Sequence, residues 1–237
     1  MKSLTRTAYR AIAAFVTAAF VLIGLASPAF ADGATSTITN ARTGASYNDL
    51  ATATAEAESG DTIKLGEGNY TLYGVSSVGH TKDKDLTFVG QGNDKTAWNI
   101  GALVPDPANF GTEYNGDYSF DGAGTVTFEK MTLRSGNADY LGFIRANKTV
   151  VDHCVINGKT FYWGYTSAEF NSTTFNAPDG DYSLWTYSSP VMTFDTCTFN
   201  ATGKVINVYR EASTQDITVN VNNCTFNSNG DKDKQRS

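Results

Sequence analysis

Apolar positions in the second half of the chain recur in a six-residue phrase: apolar, two polar, small or sulfur-bearing, Thr or Val, apolar. The copies run Phe128–Leu133, Val151–Ile156, Phe170–Phe175, Phe194–Phe199 and Val221–Phe226. Their fourth residues are Met131, Cys154, Thr173, Cys197 and Cys224, spaced by 23, 19, 24 and 27 residues. Steps this uneven exclude a rigid helix-pair repeat and predict a solenoid whose coils differ in loop length. Within a copy, Met192/Phe194 and Cys197/Phe199 each keep the period of two that places side chains on one face of a strand. From Phe194 to Cys197 the step is three, which reverses the face unless the chain bends. The pattern therefore predicts a corner at Asp195-Thr196 between two strands that both point apolar side chains inward. Asp152, Asn171, Asp195 and Asn222 fall at this corner, and Asp and Asn tolerate left-handed backbone angles. Asn157, Asn176, Asn200 and Asn227 recur at one register after the second strand, where the next turn is expected. Coils stacked like on like, about 4.8 Å apart, give an all-β fold: a right-handed parallel β-helix with ladders of Phe, Cys/Thr and Asn.

An open solenoid end exposes strand edges, so a cap is expected. From Asn48 the chain has an Asx start with apolar Leu50, Ala53 and Ala57, enough for a short capping helix of three turns ending at Ser59-Gly60. Asp61–Leu65, a Gly66–Asn69 turn, Tyr70–Leu72 and Leu86–Gly90 then read as strands and turns. The run SYNDLATATAEAESGDTIKLGEGNYTL, then DLTFVGQG and the CTFN-type coils to residue 227, resembles secreted β-helix proteins of the pectate-lyase-like superfamily. The resemblance implies the fold. It leaves the activity open, because that superfamily holds lyases, hydrolases, esterases, tailspikes and non-catalytic adhesins.

Composition narrows the class. With 41% hydrophobic and 18% charged residues the chain is not a disordered polyelectrolyte. Its 31 Thr, 19 Asn, 22 Gly and 12% aromatics favour short strands and tight turns. A net charge of -6 argues against nucleic acid as a partner, since that grip rests on a basic surface. Lys2, Arg6 and Arg10 precede an apolar run from Ala11 to Leu25 and the small-residue site Ala29-Phe30-Ala31, which predicts export with cleavage before Asp32. A lone membrane anchor is the competing reading, but the run is short for a span and ends at Ser27-Pro28. Residues 32–237 then carry 15 Lys and Arg against 24 Asp and Glu, and have no second run of membrane-spanning length. The expected organisation is a signal peptide over 1–31, an N-terminal strand and capping helix over 32–60, the parallel β-helix over 61–229 and a polar tail over 230–237. The expected location is extracellular, free or held at the cell surface, without membrane insertion after cleavage.

Candidate chemistry is of two kinds. Lyases of the resembled fold, as the resemblance implies, use carboxylate-bound Ca²⁺ and a basic residue that removes a proton beside a uronate. Val150-Val151-Asp152-His153 is similar to the Asp-His phrase of pectate lyases, in which the Asp lies near the Ca²⁺. Asp152 also belongs to the corner column, with His153 solvated beside it. Arg145 and Arg210 are the available bases, and the Arg-rich catalytic phrase is absent. Glu211, Glu169, Asp179 and Asp181 show no spacing suited to two-carboxylate glycoside hydrolysis. A long lateral loop, Ile100 to Gly124, holds Asp106, Asp117 and Asp121. Were the protein an enzyme, Asp152, Arg145, Arg210 and Glu211 would carry the reaction.

The second kind is aromatic. Phe161-Tyr162-Trp163-Gly164-Tyr165, Trp185-Thr186-Tyr187 and Tyr209 occupy comparable places in three successive coils. Counted back from Thr173 and Cys197, Phe161 falls beside Trp185 and Trp163 beside Tyr187. Facing outward, Tyr162, Trp163, Tyr165, Trp185, Tyr187 and Tyr209 would form a ribbon suited to sugar rings; facing inward, they would be a core ladder. The sequence leaves both open. The cysteines sit in the inward column as small hydrophobes. Cys197 and Cys224 lie within disulfide reach in adjacent coils, though parallel side chains make that geometry marginal, and Cys154 is expected to be free. No zinc-ligand spacing or Cys/His dyad is present.

The expected function is a secreted or surface β-helix module that binds a polysaccharide or a cell-surface glycan or protein, without catalysis and without a cofactor. The alternatives are a lyase or glycoside hydrolase acting on acidic polysaccharide, with Ca²⁺ in the lyase case, and a structural spacer of the cell envelope. The residues after Asn227 are too polar to cap a solenoid end, which predicts either continuation in a longer repeat protein or self-association through the C-terminal coil.

Overall fold

The structure is a computed structural model, and it describes residues 37–71, 81, 83–100, 120, 122–135, 141–144, 146–158, 160–162, 166–177, 182–187, 190–201, 204–209 and 216–228. The segment 1–31 expected to direct export, the tail over 230–237 and most of the stretch 100–124 read as a lateral loop lie outside these residues.

The N-terminal part comprises β1 (Ile38–Asn40), β2 (Ser46–Tyr47), α1 (Leu50–Glu56), β3 (Asp61–Leu65), β4 (Gly68–Thr71), β5 (Leu86–Val89) and β6 (Thr96–Ile100). The repeats follow as β7 (Thr125–Glu129), β8 (Thr132–Ser135) and β9 (Leu141–Ile144), then β10 (Lys148–Asp152), β11 (Val155–Asn157) and β12 (Thr160–Tyr162). The next coil holds β13 (Ser167–Asn171), β14 (Thr174–Ala177) and β15 (Tyr182–Tyr187). It is followed by β16 (Val191–Asp195), β17 (Thr198–Ala201) and β18 (Lys204–Tyr209), and finally by β19 (Thr218–Asn222) and β20 (Thr225–Ser228).

Each coil sends one strand to each of up to three sheets. The first orders β3, β5, β7, β10, β13, β16 and β19 as parallel neighbours; the second orders β4, β6, β8, β11, β14, β17 and β20; the third holds β9, β12, β15 and β18. The fold is therefore all-β with stacked parallel sheets, the architecture of a solenoid of the parallel β-helix type.

Period-two alternation fixes which side of each strand faces the axis. In the first sheet Ile63, Phe88, Phe128, Val151, Phe170, Phe194 and Val221 stand in one register column. In the second, Tyr70, Trp98, Leu133, Ile156, Phe175, Phe199 and Phe226 do the same. All but the last member of each column are buried. Like rings stack across coils: Phe170 on Phe194 at 5.0 Å, Phe175 on Phe199 at 4.6 Å and Phe199 on Phe226 at 5.0 Å. Burying one such ring stabilises by roughly 1.5–3 kcal/mol. On the final coil Val221 and Phe226 are 44% and 49% exposed, because no described strand lies beyond them.

The corner between first and second sheets is one residue further on than the sequence pattern suggests. Asp152, Asn171, Asp195 and Asn222 end their strands in extended conformation, and the left-handed residues are their successors. These are His153 (φ 52°), Ser172 (φ 47°), Thr196 (φ 57°) and Asn223 (φ 53°), with Lys130 (φ 54°) in the coil before. A cross-coil backbone bond explains the choice: His153 N–H donates to Asn171, Ser172 to Asp195 and Thr196 to Asn222. The turn is thus held by main-chain geometry whatever the side chain. Thr196 is β-branched and carries the cost of about 1–2 kcal/mol for left-handed non-glycine backbone. Thr196→Asn, which copies Asn223, is expected to raise stability by about 0.5–1 kcal/mol, read as a higher urea midpoint.

Beyond the corner, the column Cys154, Thr173, Cys197 and Cys224 makes a polar contact that treating these residues as inert hydrophobes misses. The Cys154 thiol donates to the Phe128 carbonyl at 3.6 Å, the Thr173 hydroxyl to Val151 at 3.2 Å and the Cys197 thiol to Phe170 at 3.2 Å. Cys224 repeats this toward Phe194 at 3.7 Å. Each donor also reaches the carbonyl two residues back in its own coil, Asp152 at 3.4 Å, Asn171 at 3.0 Å, Asp195 at 3.5 Å and Asn222 at 3.3 Å, so its one hydrogen is shared between the corner and the preceding coil. Thr173 stands among the cysteines of this column because both residue types are compact donors. All three cysteines are free, so Cys197 and Cys224 are not bridged.

The asparagines also correct the sequence reading, since they lie in strands rather than in a turn. Asn176 Nδ2 donates to Asn157 Oδ1 at 2.9 Å, Asn200 to Asn176 at 2.8 Å and Asn227 to Asn200 at 2.9 Å. Their column stands on the outer side of the second sheet, opposite the buried Phe175 and Phe199.

At the N-terminal end, β1 pairs antiparallel with both β2 and β3. α1 is seven residues, two turns rather than three, with Asp49 as N-cap accepting from the Thr52 backbone N–H at 2.7 Å. Leu50, Ala53 and Ala57 are buried in the core cluster, the face that the sequence spacing assigns. The buried Asp61 carboxylate accepts from Asn40 Nδ2 at 2.6 Å, from Arg42 Nε at 2.5 Å and from the Glu58 backbone N–H at 2.9 Å. This cluster joins β1 to β3, and nothing in the local spacing of Asn40, Arg42 and Asp61 marks it.

Candidate functional site on the third sheet

The third sheet brings the aromatic segments of successive coils side by side. β12 pairs with β15 so that Phe161 stands opposite Trp185 and Tyr162 opposite Thr186. β15 pairs with β18 so that Trp185 meets Asn207 and Tyr187 meets Tyr209. The gapless alignment of Phe161 with Trp185 thus matches the strand register, and Tyr187 and Tyr209 are direct neighbours. Trp163 and Tyr165 lie outside the described residues. In β18, Ile206, in register with Leu184, packs on the core cluster, as does Val205.

The residues considered for catalysis are not drawn together. Asp152 ends β10 between Glu129 and Asn171 in the corner column. Its Oδ1 is 2.8 Å from His153 Nδ1, and that imidazole is exposed. Glu169 is occupied by Lys148, whose Nζ is 2.7 Å from Oε1. Arg145, Arg210, Glu211, Asp179, Asp181, Asp106, Asp117 and Asp121 lie outside the described residues. Among the described residues no three His, Cys, Asp or Glu side chains converge in a metal-holding group. Burial pushes the Cys154 thiol up to about 12 and the Cys197 thiol up to about 11, so both stay protonated donors at neutral pH rather than becoming nucleophilic thiolates.

The outer face of the second sheet is a surface that reading the sequence for chemistry passes over. Thr174, Thr198 and Thr225 form one register column, and the Asn ladder forms the next. The signal is present in the Thr-Phe-Asn of three successive repeats, where the middle residue is the core and its neighbours are the surface. Among the described residues no helix is long and apolar enough to cross a membrane. No family model, no curated protein and no solved structure matches the chain, so its assignment rests on its own geometry.

Proposed function

We propose that the chain is a secreted or surface-held binding module without catalytic activity, engaging a glycan or another cell-surface partner along its third sheet. The observation that carries this reading is the cross-coil register of Phe161 with Trp185 and of Tyr187 with Tyr209. In β18, Asn207 pairs with Trp185, and Val208, which pairs with Thr186, is exposed, which supports a third sheet open to solvent. Aromatic planes in line along a rigid axis suit stacking on consecutive sugar rings. The finer fold assignment belongs to the same reading: a right-handed parallel β-helix of the pectate-lyase-like kind, with α1 as its N-terminal cap. So does self-association through the C-terminal coil, supported by the exposed Val221 and Phe226 on the outermost strands.

The test is a panel of acidic and neutral polysaccharides incubated with the purified protein, with and without Ca²⁺, following bound protein and unsaturated-product absorbance. Retention without turnover is expected, weakened roughly tenfold by Trp185→Ala, as for the loss of a central aromatic anchor. Calcium-dependent product formation abolished by Asp152→Ala would replace this reading with that of a polysaccharide lyase. Absence of both signals would leave the spacer role.

A further inference from the structure

From β11 to β20 the outer face of the second sheet repeats almost without change. One column reads Val155, Thr174, Thr198, Thr225 and the next reads Asn157, Asn176, Asn200, Asn227. Parallel pairing sets the repeat along the solenoid axis at about 4.8 Å, and the two columns stand roughly 6.6 Å apart along each strand. The face is bounded on the N-terminal side. There Thr132 donates its hydroxyl to the Asn93 carbonyl at 2.7 Å, and Arg134 closes the Asn column by donating Nε to Asn99 Oδ1 at 2.7 Å. Past that boundary neither column contains a charge or an aromatic ring.

The ladder fixes the amides without exhausting them. Asn176 and Asn200 each spend one N–H and one lone pair on their neighbours, while Asn157 only accepts and Asn227 only donates, at 2.8–2.9 Å; each amide keeps at least one further N–H and one further lone pair for a ligand. Thr hydroxyls both donate and accept, and β-branching restricts their rotamers. The result is a rigid, uncharged, two-dimensional lattice of mixed donors and acceptors. Only a ligand that is uncharged, offers both donors and acceptors and repeats in space can make the same contact on every coil.

We infer that this face is a binding site, separate from the third sheet, for the surface of a crystalline neutral polysaccharide. Crystallinity follows from the energetics of exchange. Replacing water on an exposed hydroxyl or amide returns little net free energy per bond. A soluble chain would have to lose its conformational freedom for that small return, whereas a chain already locked in a crystal loses none. Several weak and identical contacts made together by a pre-ordered face then suffice.

The experiment is co-sedimentation of the full protein with microcrystalline cellulose and with crystalline chitin, competed with soluble oligosaccharides of the same sugars. The expected result is retention on at least one polymer that its soluble oligosaccharide does not displace. The paired change Thr174→Val and Thr198→Val, which keeps shape and β-branching, should lower retention at least tenfold while leaving the thermal melt in place. Thr198→Lys, setting a charge on the lattice, should do the same. The inference is overturned if the Thr variants bind like the parent, if soluble oligosaccharide displaces the protein or if neither polymer retains it. Because the Thr variants alter only the second sheet and soluble oligosaccharide competes only for single-chain binding, failure of this site is distinguishable from failure of the third-sheet reading.

Discussion

Phe194→Ala is expected to destabilise the protein by about 3–5 kcal/mol, the range for removing a fully buried aromatic ring without collapse of the space it leaves. Phe194 is wholly buried and touches three other rings: it stacks on Phe170 at 5.0 Å and meets Phe175 at 6.0 Å and Phe199 at 5.5 Å. Its carbonyl also accepts the Cys224 thiol of the next coil. Relaxation around the cavity is limited because both flanking coils are pinned by backbone pairing. In a solenoid each coil is stabilised mainly by its neighbours, so the loss falls unevenly. Hydrogen exchange should show β19 and β20 opening well before β10 and β13, and an early, separate loss of C-terminal protection would appear in a denaturant titration. A uniform loss of protection across all coils would contradict this nearest-neighbour picture.

Asp61→Ala is expected to cost about 3 kcal/mol, as for removing the acceptor from a buried set of charge-assisted bonds. The carboxylate is the common acceptor of Asn40, Arg42 and the Glu58 backbone, and its loss leaves Asn40 buried without that partner. Arg42 is half exposed and contributes less than its short distance suggests. The Arg42 bond, assisted by the Glu58 and Asn40 donors, holds the Asp61 carboxyl well below the usual carboxylate range. A depressed folded-state value gives stability that is complete above the unfolded value of about 3.9 and is lost as pH falls from there toward the folded value. The parent protein should therefore lose stability in acid more steeply than Asp61→Ala does. Urea midpoints measured between neutral pH and strong acid should converge, and parallel curves would show that the carboxylate is not the linked group.

The inward columns are legible in the sequence because burial enforces them. Phe128, Phe170 and Phe194, or Leu133, Phe175 and Phe199, cannot move to the solvent face without exposing a ring or an alkyl chain, and their spacing therefore records the register. The corner is less legible. Asp and Asn are the residue types that favour left-handed angles, yet the angle falls on Lys130, His153, Ser172, Thr196 and Asn223. The cross-coil backbone bond decides the position, and backbone bonds leave no residue signature. The same reason hides the thiol-to-carbonyl contacts of Cys154, Cys197 and Cys224, which reach main-chain acceptors of the preceding coil as well as of their own. Asp61 and Arg42 meet only because β1 runs antiparallel to β3, a pairing that repeat spacing cannot anticipate. For the third sheet, register is readable from aligned segments, since Phe161 does pair with Trp185, but a row of aromatics looks the same in sequence whether it lines an interior or an exterior.

From β7 onward, two residues always separate a first-sheet strand from its second-sheet successor: 130–131, 153–154, 172–173, 196–197 and 223–224. The other two vertices are elastic in length. Second-sheet to third-sheet joins range from two residues, as at 202–203, to five at 136–140, and third-sheet to first-sheet joins range from three to the eight of 210–217. All the variation in coil length is thus confined to two ridges that border the third sheet, while the remaining ridge behaves as a spine of constant pitch. For an engineer, this divides the molecule into a chassis and a display. Foreign loops grafted at 188–190 or 210–217 would add length where length already varies, whereas a single residue inserted beside Thr196 would shift the Phe199 face against every coil before it.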